Sequence, residues 1–217
     1  TRAEEFFLDT FQPAAVVKIV SGLDAGNKLV LWDYIVYFGG ERTSQPFYEI
    51  PHYRILSKGS WGGRGGGGAH PFAVGAWRAP GSNTNTFARE SHLDVMAARA
   101  GVDPVEFRLA NLTDDRMTRV LRECAARFGW KPAKAPSGRG RGVALVNYLN
   151  TYVVTMAEVE ADTTSGRVRV KRLVCVQDMG EVINPDGARA QMQGCLTMGL
   201  GYCLSEEMHF RNGRLRD

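Results

Sequence analysis

Thr151-Tyr152-Val153-Val154-Thr155-Met156-Ala157-Glu158-Val159-Glu160 is followed by turn residues from Asp162 to Gly166 and by a second β-rich run, Arg167 to Gln177. Such residues fit a pleated, half-buried surface, so the stretch reads as a hairpin, with Val168, Val170, Leu173 and Cys175 along its second strand. Then the pattern changes. Asn184-Pro185-Asp186-Gly187-Ala188-Arg189-Ala190-Gln191-Met192-Gln193-Gly194 starts a helix, capped by Asn184 and preset by Pro185, that runs to about Leu204. A hairpin feeding a capped helix predicts an α+β fold, with mixed and antiparallel sheets packed with helices. Beyond it, Met208 to Phe210, Asn212-Gly213 and Leu215 open a further hairpin, whose exposed edge asks for a partner strand from further sequence or another subunit.

Upstream, Ala14 to Val20 and Leu29 to Phe38 read as two strands joined by the turn residues Ser21 to Asn27. An irregular stretch reaches Arg54, and Gly59 to Gly68 then holds glycine at seven of ten positions, the composition of a mobile surface loop. Thr84 to Ala100 carries Phe87, Ala88, Leu93, Met96 and Ala97 as one buried helical stripe, with Gly101 to end it. Asp103-Pro104-Val105-Glu106 is a capped helix start, and Asp115 to Phe128 a third helix stopped by Gly129 and Pro132. The basic, Pro- and Gly-containing stretch 131–141 marks the internal boundary, dividing the chain into regions 1–130 and 142–217.

Bulk properties exclude several classes. At 217 residues and 44% hydrophobic, the chain is globular rather than disordered. No apolar run reaches the roughly 20 residues that span a bilayer. Thr1-Arg2-Ala3-Glu4-Glu5 has no apolar core, which argues against a signal peptide, and both ends suggest a fragment or a processed subunit. A net charge of +4 permits nucleic-acid contact. Yet Gly62-Gly63-Arg64-Gly65 and Arg167 to Arg172 lack the interleaved aromatics that RNA binders use, Trp61 excepted, so no nucleic-acid partner is expected.

Chemistry-bearing residues are sparse. Cys124, Cys175, Cys195 and Cys203 form no C-x-x-C pair, and Cys175, Cys195 and Cys203 sit in apolar runs as small core residues. His52, His70, His92 and His209 show no metal-ligand spacing, so no direct metal ligand is expected. Asp178 and Glu181 could pair as acid and base, or simply solvate a strand end and a helix start.

Two segments change this picture. Gly75-Ala76-Trp77-Arg78-Ala79-Pro80-Gly81, with Phe87-Ala88-Arg89-Glu90-Ser91 and Asp103-Pro104-Val105-Glu106-Phe107-Arg108-Leu109-Ala110-Asn111-Leu112 behind it, resembles the arginine loop and supporting helices of the molybdenum-cofactor subunit of the xanthine dehydrogenase and aldehyde oxidase family. Gly142 to Gly201, with Asp178-Met179-Gly180 before Asn184-Pro185, resembles that family's carboxy-terminal sheet and helix, in the isoquinoline 1-oxidoreductase flavour. Thr1 to Phe6 and Gln12-Pro13-Ala14-Ala15 resemble the segment after its glycine-rich cofactor loop.

The resemblance implies a part or split subunit of a molybdenum hydroxylase. Such an enzyme oxidises an N-heterocycle or aldehyde with oxygen from water and passes electrons to an iron–sulfur subunit. It implies molybdopterin with Mo, in bacteria often as the cytosine dinucleotide, and [2Fe–2S], with FAD or haem, on partner subunits. Trp77, Arg78 and Ala79 would face the molybdenum centre; Gln191 would hydrogen-bond the pterin, and Gly194 would allow close approach. Where many relatives have Gly then Phe after the arginine, Ala79 and Pro80 stand here. The family's base, a glutamate in Gly-Glu-Pro, has no counterpart: the Gly-Glu pairs are Gly40-Glu41 and Gly180-Glu181, and neither precedes Pro. The base is therefore expected on the rest of the subunit or on a separate chain. The alternative is a non-catalytic scaffold without the cofactor. Location would be cytoplasmic, or periplasmic given an upstream export signal.

Overall fold

The computed structural model describes residues 12, 14–59, 74–75, 78–131, 138–212 and 214–215. Its architecture is α+β. β1 (Val16–Leu23) pairs antiparallel with β2 (Leu29–Tyr37), and β2 pairs parallel with β3 (His52–Lys58), giving a mixed three-stranded sheet. β3 lies partly in the stretch read as irregular. Its side chains are mostly exposed, so it lacks the apolar alternation that marks a strand.

Three helices follow: α1 (Ser82–Ala100), α2 (Pro104–Ala110) and α3 (Asp115–Phe128). Gly101 and Gly129 end α1 and α3 in the left-handed conformation, as their positions predict. Asp103 caps α2, accepting from the Val105 and Glu106 amides, and Asp114 caps α3 in the same way. On α1, Leu93, Met96 and Ala97 are buried, but Phe87 is 76% exposed and does not belong to the stripe. The helical period puts Phe87 with Ser91 and Val95, on the outward face.

β4 (Arg139–Tyr148), β5 (Thr151–Ala161) and β6 (Val168–Asp178) form an antiparallel meander, its β5–β6 hairpin close to the expected bounds. β4 begins inside the basic stretch 131–141. α3 lies on β5 and β6, α1 on β4. Their facing side chains, with Trp32, Tyr34 and Val36 of β2, join one hydrophobic cluster that includes Val143, Leu145, Val154 and Met156. One core thus holds residues from both sides of 131–141.

At its polar centre sits Glu90. The carboxylate accepts from Arg89 Nε at 2.9 Å, Arg108 Nε at 3.1 Å, the Tyr48 hydroxyl and the Leu145 amide. Arg108 also reaches Asp94 at 2.7 Å, and Arg89 donates to the Thr43 and Leu145 carbonyls. Arg89, Glu90 and Arg108 are all buried, so this network ties α1, α2, β4 and the 43–48 connection together at full desolvation cost, and it stabilises only because each group is matched.

α4 (Pro185–Leu204) starts at Asn184, whose side chain accepts from the Gly187 amide, and ends at the expected Leu204. None of its residues is buried. β7 (Phe210–Arg211) and β8 (Arg214–Leu215) close the described chain as a hairpin. Cys195 and Cys203, on α4, are exposed and not core residues, while Cys124 on α3 is the buried one. An apolar run marks a core cysteine only where its element has a covering layer.

Candidate functional site

The arginine loop turns sharply into α1. Ala79 takes φ 56° and Gly81 φ 72°, and the Ala79 carbonyl accepts from the amides of Ser82 and Asn83. A residue with a Cβ in this region stores roughly 1–2 kcal/mol of strain. Ala79 therefore holds the conformation in which glycine is at ease. Arg78 is exposed at the head of this turn. Trp77 lies outside the described residues, as does the glycine-rich stretch from residue 60 onward.

The structure brings the two singled-out segments together. Arg78 Nη1 donates to Met198 Sδ of α4 at 3.1 Å, across 120 residues of sequence. Met198 stands seven residues after Gln191, about 20° short of two full helical turns and about 10 Å along the axis. Gln191, Gly194, Cys195 and Met198 thus share the face of α4 that meets the loop. Gln191 is exposed, with its amide nitrogen 3.9 Å from Cys195 Sγ. A Cβ placed on Gly194 would have no neighbour within 4 Å, so among the described residues this glycine packs against nothing.

Behind the loop, Ser82 and Thr86 bury hydroxyl oxygens that have no hydrogen-bond partner among the described residues. Buried hydroxyls are ordinarily satisfied. With the cationic Arg78 and the donor–acceptor amide of Gln191, these groups fit an anionic, hydrogen-bonding heterocycle. No group of His, Cys, Asp and Glu among the described residues could hold a metal ion directly.

Asp178 and Glu181 do not form an acid–base pair. Asp178 is bound by Arg116 at 2.7 Å and Arg119 at 3.1 Å, and the Arg116 hydrogen bond holds its carboxyl far below the usual range. Such a group neither donates nor collects a proton near neutrality. Glu181 is exposed. The basic strand is likewise engaged: Arg172 donates to the Phe128 and Arg127 carbonyls, and Lys171 pairs with Glu160. The Glu90 network was missed at the sequence level. Its signal, Arg-Glu beside an otherwise apolar helix face, became legible only with its partners in place.

Residues 90–217 match the family model of the molybdopterin cofactor-binding domain. The chain belongs to this family. Its sequence is of the molybdenum-binding subunit type of the xanthine dehydrogenase and aldehyde oxidase family. The match takes in α4 and begins after Arg78. The chain is 28% identical to one subunit of the nicotinate dehydrogenase of Pseudomonas putida over 97% of its own length and 20% of that protein's. It is 38% identical to the beta chain of isoquinoline 1-oxidoreductase of Brevundimonas diminuta over 60% of its length and 17% of the relative's. The aldehyde oxidoreductase of Desulfovibrio gigas superposes with a TM-score of 0.48 at 17% identity, covering 74% of this chain and 21% of that one. The chain thus spans about a fifth of the length of these relatives. No helix among the described residues is long and apolar enough to cross a membrane.

Proposed function

We propose that this chain supplies two walls of a molybdopterin site, the Arg78–Ala79 loop and the Gln191–Gly194–Met198 face of α4. The whole subunit would oxidise an aldehyde or an N-heterocycle with oxygen from water. The contact between Arg78 and Met198 carries the reading, because it joins the loop to the helix face that bears Gln191. When bound, the molybdenum cofactor, here taken as the cytosine dinucleotide form, supplies the redox chemistry. Arg78 offers a fixed positive charge on the loop that Ala79 turns into α1. Gln191 matches both donors and acceptors along a pterin edge. Gly194 leaves room for a planar ring system. Trp77 is assigned to the same loop on sequence grounds. The base lies outside this chain, which holds no Gly-Glu-Pro, and electrons leave to an iron–sulfur subunit.

Molybdenum and released pterin, measured on the full-length subunit purified with its partners, test this directly. Near-stoichiometric metal in the wild type is expected. Arg78→Ala and Gln191→Ala should each cut retained pterin by roughly tenfold, the factor carried by one strong hydrogen bond. An intact assembly without pterin would reject the reading in favour of a non-catalytic scaffold.

A further inference from the structure

α4 bears the proposed cofactor face, yet no residue along it is buried, so core packing does not set its direction. The segment that leads into it is equally uncovered: Met179, Val182 and Ile183 are exposed, Ile183 by 86%. Besides the contact of Met198 with Arg78, the end of β6 holds the start of the helix. There Asp178 gathers four donors. Its Oδ1 accepts from Arg116 Nη2 at 2.7 Å and from the Gly180 amide at 3.1 Å, and its Oδ2 accepts from Arg116 Nε at 3.2 Å and Arg119 Nη2 at 3.1 Å. Gly180 takes φ 80°, where the backbone turns away from the sheet.

Arg116 is itself held on two sides. Its guanidinium lies 4.4 Å from the centre of the Tyr152 ring, and the Tyr152 hydroxyl donates to Asp114 Oδ2 at 2.9 Å. Asp114 in turn caps α3 through its other oxygen, accepting from the amides of Arg116 and Met117. A lone surface ion pair contributes little, but a bidentate pair with a stacked guanidinium and further donors falls outside that rule. The chain of contacts runs from α3, whose inner face is buried, through Arg116 and Asp178, to the turn that launches α4.

We propose that Arg116 and Asp178 are positioning residues: a clamp between the start of α3 and the Gly180 turn that aims α4, and with it Gln191, at the arginine loop. The destination rests on the proposed function; the clamp itself does not. Arg119 reinforces it from the next turn of α3, and neither arginine need touch the cofactor.

The test uses the full-length subunit with its partners and the variants Asp178→Asn and Arg116→Lys. Amide hydrogen exchange over residues 179–190, the unfolding midpoint and the rate of pterin release are read together. Asp178→Asn is expected to speed exchange over 179–190 by about tenfold, with exchange in α3 and β5 unchanged, and Arg116→Lys by less. Pterin release should quicken in the same order while the unfolding midpoint falls by no more than that same factor implies, so that release is lost before the fold is, which a merely structural bridge would not produce. Unaltered exchange over 179–190, or loosening spread equally through α3 and β5, overturns the clamp. Local loosening in a wild type that carries no pterin would uphold the clamp and remove only the cofactor reading.

Discussion

At the scale of single residues, Ala79 and His92 each make a quantitative demand. Ala79 sits at φ 56°, so Ala79→Val should destabilise by about 1–3 kcal/mol while Ala79→Gly stays within about 1 kcal/mol of wild type, read from urea midpoints. His92 packs edge-on against Trp32, and its Nε2 lies 2.7 Å from Ser21 Oγ, which also contacts Met96. Burial, aided by the charge of Arg99, holds its pKa below the usual 6.5. The unfolded chain therefore takes up this proton first as pH falls. The contribution of His92 is complete above about pH 6.5 and is lost progressively below it. Urea midpoints measured from pH 7 to pH 5 should fall less steeply in His92→Gln than in wild type. The segments around Arg78 and Gln191 stand out in the sequence because their motifs are short and local. The half-buried setting of His92 does not, since Ser21 and Trp32 reach it from the first sheet.

At the scale of elements, the helices were read well because their stops and caps are written beside them: Asp103, Asp114, Gly101, Gly129 and Asn184 each act within three residues of the end they define. β3 and the start of β4 were missed because their pairing partners, β2 and β5, carry the apolar pattern. The ion network between α1 and α2 belongs to this scale too. Glu90→Ala leaves Arg89 and Arg108 buried against an empty site, and should destabilise by about 3–5 kcal/mol by denaturant titration. α4 supplies the contrast, since its exposed Cys195 lies on the face that meets Arg78. In the full-length subunit stripped of pterin, Cys195 should alkylate readily; reloading should protect it if that face holds the cofactor. Cys124, buried and with its thiol pushed up to about 12, should stay unmodified in both states.

At the scale of the whole molecule, one core spans the basic stretch that composition marks as a boundary. Charge and proline content announce where α3 is left behind, but not which core the next strand joins. Native-state hydrogen exchange in rising urea should find the slowest amides of β2 and β5 opening with a common free energy, as one cooperative unit; separate opening energies would argue for two. The core and the candidate site share no residue among those described, because α4 buries nothing. Substitutions on the exposed face of α4 should therefore leave the stability of this core unchanged, so that binding and folding can be probed there one at a time.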